Sequence, residues 1–355
     1  MSKRQKLSFF PFEGLPDEII LKIFSLLDIK GVLQCGQVSQ RLRAISNDQC
    51  LWSKLNLSGR EVPYGFIEKT VQNGCEYLNL SFSSVHGGAN AEEPLKLKYL
   101  QMSQSAYEFN LCPEGVLQNC HFLQKLAVDN LTLHSLEINH ICQNGKTLQF
   151  LSLEGSSIDK YHRAELIQKL FKRCPQLTEL NIYKNPDKTI YYHILFPEHI
   201  CALVDNLTTS ILKLNLGSQE YFQDEHVNTL VRRCNKITEL DLSGTSITNA
   251  CVESIVKHLN SLEKLDIGFT NIDFSSILQL KSISTLRILR CFYGQSKENT
   301  EKIKNLKLLL PHIRINEDDF HIACATKKVN QSIDPDWFWE IKAKQQDLFP
   351  KNHLS

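Results

Sequence analysis

Thiols and imidazoles lie close together at several points of this 355-residue chain: Cys120 beside His121, His140 near Cys142, His199 near Cys201 and His321 near Cys324. Such neighbours are the raw material for a nucleophile and its base. Activation also needs hydrogen-bond reach, an orienting third group and access, and closeness in sequence supplies none of these. The 12 cysteines contain no C-x-x-C pair, the closest two being Cys112 and Cys120, so neither a zinc site nor a disulfide framework is expected.

The element that must position these residues is a repeat. The signature L-x-x-L-x-L, or a close variant, returns every 22 to 34 residues between positions 75 and 315. Clear copies are Leu123-Leu126-Val128, Leu148-Leu151-Leu153, Leu177-Leu180-Ile182, Ile237-Leu240-Leu242 and Leu262-Leu265-Ile267; looser ones are Leu78-Leu80, Leu100-Met102, Ile211-Leu214-Leu216, Leu286-Leu289-Cys291 and Ile313-Ile315. A period of this length means a solenoid. The L-x-L alternation predicts short parallel strands with the leucines inward and the middle residue outward. Between strands, Val227-Leu230-Val231 and Val252-Ile255-Val256-Leu259 have the spacing of an amphipathic helix.

Cys120, Cys174 and Cys234 each stand three residues before a first leucine, at the end of such a helix. This resembles the cysteine-containing leucine-rich repeat. Most cysteines are then small core residues of a protein in a reducing compartment. No further domain remains to house a catalytic site, so a non-catalytic chain without cofactor or metal is expected, working by holding a partner.

Composition narrows the partners. The 40 basic and 39 acidic residues leave a net charge of +1, which argues against nucleic acid or a membrane surface as the main partner. No run approaches the roughly 18 apolar residues of a membrane span, and no apolar core follows the charged start as in a signal peptide. The expected location is nucleus and cytoplasm.

Residues 12 to 52 do not follow the repeat. Pro16, Asp17 and Glu18 suit the first turn of a helix, and Ile19, Ile20, Ile23, Phe24, Leu26 and Leu27 then cover well over half its circumference. Asp28 to Val38 predicts a second helix, and Ser39 caps a third through Arg41, Leu42 and Ile45 before Asn47-Asp48 breaks it and Leu51-Trp52 closes the module. About forty residues is too few for a secure core, so part of the apolar face awaits a partner. Capping the solenoid's end is the other reading.

The run Leu15-Pro16-Asp17-Glu18-Ile19-Ile20, then Ile23-Phe24-Ser25 and Leu27, with a later Val38-Ser39-Gln40-Arg41-Leu42-Arg43 and Leu51-Trp52, resembles the F-box. An F-box before leucine-rich repeats identifies the F-box/leucine-rich-repeat family. The resemblance implies docking on the small Skp adaptor of cullin-RING ubiquitin ligases through Leu15, Pro16, Ile20, Ile23, Phe24 and Leu27, with Trp52 near the join. Thr229 to Cys234, Leu240 to Ser243, Leu310 to Asn316 and Phe338 to Lys342 are similar to the family's S-phase kinase-associated branch.

That likeness implies a tail folded back along the concave face. It also implies a cyclin-dependent kinase regulatory subunit as accessory partner, and a phosphorylated cyclin-dependent kinase inhibitor as substrate for ubiquitination. Lys184, Gly244 and Phe269 depart from the branch, which has an aromatic, an acid and an arginine there, whereas Arg232 and Arg233 persist. The fold implied is α/β: a three-helix F-box, a curved parallel sheet with helices outside, and a tail. The division expected is a basic arm over 1–11, the F-box over 12–52, about ten repeats over 53–319 and the tail over 320–355.

The inner surface should carry the middle residues Asn79, Gln101, Ala127, Ser152, Asn181, Asn215, Asp241, Asp266, Arg290 and Arg314, running from neutral through acidic to basic. Direct phosphate binding would converge several guanidinium forks on one point. Only Arg290 and Arg314 are expected side by side, which favours phosphate recognition through an accessory protein. Their roles stay open between contacting an acidic partner, pairing with the tail, and satisfying Asp241 and Asp266. Trp337 and Trp339 in the tail are expected to dock on the solenoid, with or without a partner contact.

The long repeat between Ile182 and Leu214, with Lys184-Asn185-Pro186-Asp187-Lys188 and Tyr191-Tyr192-His193, predicts an extra loop, decorative or specificity-bearing. Lys3-Arg4-Gln5-Lys6 reads as a solvated arm or a nuclear-import signal.

Overall fold

A computed structural model describes residues 14–87, 94–103, 114–158, 163–184, 195–292 and 296–317. The expected basic arm, the extra loop after Lys184, the His321–Cys324 pair, and the tail with Trp337 and Trp339 lie outside them.

Four helices come first: Asp17–Phe24, Ile29–Cys35, Gln40–Ser46 and the single turn Gln49–Trp52, one more than the sequence suggested. Short polar side chains fix their starts, as N-cap chemistry requires. Asp28 accepts from the Gly31 amide at 2.7 Å, Ser39 from Leu42 at 3.1 Å and Asp48 from Cys50 at 3.0 Å. Ile20 and Phe24, one helical turn apart, are buried with Val32, Leu42, Ile45 and Trp52. Trp52 satisfies its indole N–H by donating to the Ser46 carbonyl at 2.7 Å. The same apolar core continues without a break into the repeats.

Among the described residues, one sheet of 11 parallel strands follows chain order, opening with Lys54–Asn56, Tyr77–Asn79 and Tyr99–Gln101 and closing with Ile288–Arg290 and Arg314–Ile315. The register is regular: Leu55 lies opposite Leu78, Leu78 opposite Leu100, and so on to Leu289 opposite Ile315. Each aligned leucine is buried, worth roughly 2 kcal/mol apiece by transfer. On the helical side Val227, Leu230, Val231, Val252, Ile255 and Leu259 are buried as expected, while Val256 is only partly so.

A side-chain ladder and a left-handed turn mark where each strand ends. The third strand residue is often Asn or Asp, and its Oδ1 accepts the amide two residues ahead: Ser58, Ser81, Tyr183, Gly217, Ser243 and Gly268 donate to Asn56, Asn79, Asn181, Asn215, Asp241 and Asp266 at 2.9–3.0 Å. Two or three residues later the chain turns left-handed, at Phe82, Asn130, Ser218, Gly244 and Phe269 among others. Glycine or asparagine is at ease there; phenylalanine is not.

The recurrent cysteines Cys120, Cys174 and Cys234 are buried at the helix-to-strand turns. The Cys120 thiol donates to the Val116 carbonyl at 3.1 Å and that of Cys234 to Thr208 at 3.5 Å. Burial pushes the Cys174 thiol up to about 12 and that of Cys234 to about 11.

Candidate functional site

Two surfaces stand out, one on the amino-terminal helices and one on the sheet face turned away from the helices. On the first, Ile19, Leu26, Leu27, Leu33 and Val38 are exposed, Leu26 by 71% and Val38 by 56%. Five large apolar side chains within 20 residues of sequence is more than chance scatter on a soluble surface. Pro16 is exposed beside them, while Leu15 and Ile23 are half-buried. Arg41 ties the helix start to the third helix, donating to Asp17 at 2.6 Å and to the Leu15 carbonyl at 2.5 Å.

The expected contact residues divide by exposure. Ile20, Phe24 and Trp52 fill the module's own core and present no accessible face. The third helix packs over that side of the first helix and the second helix packs on the third, which leaves Ile19, Leu26 and Leu27 outside. Leu33 and Val38 were missed; their signal was apolar residues in a module too small to bury them.

On the sheet face, three rows of side chains run across the strands. The middle row was expected to be an exposed binding surface, but it is buried: Asn181, Asn215, Asp241 and Asp266 are each 2% exposed. Their short side chains turn back onto the main chain in the ladder described above. Arg290 follows in register, its Nη1 4.0 Å from Asp266 Oδ2. Burial and then the neighbouring Asp266 push the Asp241 carboxyl up to about 7, against hydrogen bonds from Ser243 and the more distant Arg290 charge.

Arg314 does not stand beside Arg290. The last repeat is one residue shorter before its strand, so Arg314 lies opposite Ile288 and Ile315 opposite Leu289. Asn316 takes the place next to Arg290's strand, with Nδ2 donating to the Cys291 carbonyl at 2.7 Å and Oδ1 accepting its amide at 2.9 Å. Arg232 and Arg233 are not on this face at all. They end the helix Asp224–Arg233 on the opposite layer, where Arg233 donates to the Leu207 carbonyl at 3.3 Å.

The first row divides in two. Its later half is an alternating ion ladder: Lys213 lies 3.7 Å from both Glu179 and Glu239, and Lys264 lies 3.1 Å from Glu239. Its earlier half is aromatic and basic. Tyr77 and Tyr99 stack with ring centroids 4.2 Å apart, Lys54 Nζ stands 5.3 Å from the Tyr77 centroid, and Lys125 Nζ stands 5.6 Å from that of Tyr99. The signal in sequence was an aromatic immediately before Leu78 and again before Leu100.

Of the positions that depart from the family branch, Lys184 pairs with Glu220 at 2.6 Å, Gly244 is left-handed, and Phe269 is left-handed and 70% exposed. The thiol-imidazole contact found among the described residues is not between neighbours in sequence. Cys201 instead lies 3.7 Å from His226 Nε2, on the next helix. Burial and the nearby Asp205, Glu225 and Glu198 raise the Cys201 thiol, the reverse of nucleophile activation. No group of acids, thiols and imidazoles among the described residues has the geometry to hold a metal.

Comparison with known families agrees with this architecture. Residues 65–346 match the family described as the SKP2 LRR domain, which is most of the chain, and residues 12–58 match the F-box-like domain. The chain belongs to the SKP2-type F-box/leucine-rich-repeat family. Among solved structures it is similar to the leucine-rich repeat-containing protein LegL7 from Legionella pneumophila, at 14% identity and a TM-score of 0.43, over 74% of this chain and 89% of that one. It is also similar to an internalin from Listeria monocytogenes, at 15% identity and 0.37, over 64% and 70% of the two chains. In this SKP2-type protein the F-box implies a partner of the Skp1 adaptor type, and the repeats imply a surface for a second protein.

Proposed function

We propose that this chain is the substrate-recognition subunit of a Skp-cullin-F-box ubiquitin ligase. The observation that carries the reading is the exposed apolar face of Pro16, Ile19, Leu26, Leu27, Leu33 and Val38. It sits on an F-box-like module whose own core is already filled by Ile20, Phe24 and Trp52. The adaptor covers that face, and cullin and RING subunits follow through the adaptor. The stiff repeat array then holds a substrate at a set distance from a ubiquitin-charged enzyme, so the contribution is effective concentration and orientation. The module spans 12–52, the repeats 53–319 and the tail 320–355.

The substrate is a phosphorylated cell-cycle regulator such as a cyclin-dependent kinase inhibitor, recognised with a kinase regulatory subunit in nucleus and cytoplasm. The family resemblance supports this; the departures at Lys184, Gly244 and Phe269 mark where the partner contact differs. Arg290 faces Asp266 and serves the sheet, so phosphate is read by the accessory subunit.

The test is co-purification with the small Skp adaptor, read by size-exclusion chromatography with light scattering. Leu26→Asp with Val38→Asp leaves the module core intact, checked by thermal melt, and abolishes a stoichiometric complex. A folded wild-type chain that ignores the adaptor would leave a leucine-rich-repeat scaffold acting without a ligase.

A further inference from the structure

The early half of the first row has a charge state unlike the rest of the sheet. Lys213 and Lys264 are matched by glutamates on neighbouring strands, but neither Lys54 nor Lys125 has a carboxylate within 4.0 Å among the described residues. Glu76, the acid closest in sequence to Tyr77, is taken by Lys98 at 2.7 Å. Two ammonium groups therefore bracket a pair of stacked tyrosines with no counter-charge within 4.0 Å among the described residues. Lys54 is exposed, and Tyr77, Tyr99 and Lys125 are half-buried.

A second observation falls at the same place. The strand that carries Tyr99 also carries Gln101 on the same face, and both polar atoms of its side chain are buried without a hydrogen-bond partner. Ser81 Oγ, just past the strand that carries Tyr77, is likewise unpartnered. Each such atom costs about 1–3 kcal/mol, a debt that a polar partner relieves. Three unsatisfied buried atoms thus belong to the two strands, or the residues just past them, that carry the tyrosines.

We propose that the strip Lys54–Tyr77–Tyr99–Lys125 is a docking surface for an extended acidic segment of a partner protein. Four neighbouring strands place Lys54 and Lys125 about 14 Å apart, at about 4.8 Å per strand. An extended chain puts the side chains of residues i and i+4 on one side and about 13 Å apart. Carboxylates or phosphates at that spacing reach both ammonium groups. The chain between them crosses the tyrosine edges.

Single-stranded nucleic acid also uses aromatics and lysines, but it needs a free ring face for each base. Here the inner ring faces cover each other at an interplanar angle of 9°, and a lysine stands over each outer face. The strip therefore favours a peptide. The proposal is independent of whether the F-box engages an adaptor.

The test uses the full chain and fluorescein-labelled ten-residue Gly/Ser peptides, read by fluorescence anisotropy at low salt. One peptide carries glutamate at i and i+4, one phosphoserine at the same positions, one glutamine; an oligo-uridine of similar length is the fourth probe. Lys54→Gln with Lys125→Gln should weaken the acidic peptides on the order of tenfold, with an unchanged melting temperature. Lys264→Gln, in the matched ladder, should leave binding within about twofold. Binding of the glutamate or phosphoserine peptide no tighter than the glutamine peptide overturns the proposal. So does equal loss in the Lys264 variant, or preference for the oligo-uridine.

Discussion

Asp241→Asn should stabilise this protein at alkaline pH, and the reason is the unusual state of its carboxyl. Asp241 is 2% exposed, lies in register with the equally buried Asp266, and titrates at about 7 against an ordinary 3.8. Its pKa is raised in the folded state, so the fold holds a proton that the unfolded chain releases. Stability is then highest below the unfolded value and falls as pH climbs from about 4 to about 7. The rise in the Asp241 pKa makes this a contribution on the order of a few kcal/mol, shared with the neighbouring Asp266.

Asparagine removes the charge and keeps the geometry. Asn181 and Asn215 occupy the same register in the two preceding strands, and each accepts the amide two residues on at 2.9–3.0 Å, as Asp241 does from Ser243. We expect a gain of about 1–3 kcal/mol at pH 8 and less than half that at pH 5. Urea unfolding of the full chain at both pH values measures it. A loss of stability at pH 8, or the same change at both, would refute the account of a strained carboxylate.

Three further outcomes follow from packing. Phe24→Ala empties the centre of the F-box core and should cost about 3–5 kcal/mol, seen as early melting of the amino-terminal helices by hydrogen exchange. Asn144→Ala leaves the Leu123 amide and the Cys120 carbonyl without the partners they have at 2.9 Å, so urea titration should show a loss of about 2–4 kcal/mol. Phe269→Asn places a left-handed-tolerant residue at φ 55 on an exposed site and should raise stability by about 0.5–1 kcal/mol; an unchanged or lower melting midpoint argues that Phe269 is held by its surroundings.

The repeat, its strands and its buried leucines were legible in the chain because a two-residue alternation and a fixed period are local properties. Leu126, Leu151, Leu240 and Leu265 had to face inward wherever the strands lay. The helix caps at Asp28 and Ser39 were readable for the same reason. Membership of an F-box/leucine-rich-repeat family was likewise written in contiguous motifs.

The tertiary structure alone decided which side of each element meets solvent, because that depends on neighbours distant in sequence. A helix with apolar residues over most of its circumference does not declare which are core. Packing by the third helix covered the side of Ile20 and Phe24 and left Leu26 outside. One residue fewer before the last strand moved Arg314 out of Arg290's row, a shift invisible until the strands are paired. The match of Lys213 to two glutamates, and the lack of one for Lys54 and Lys125 among the described residues, likewise arise from residues brought together across strands, where charge is neutralised by contact and not by composition.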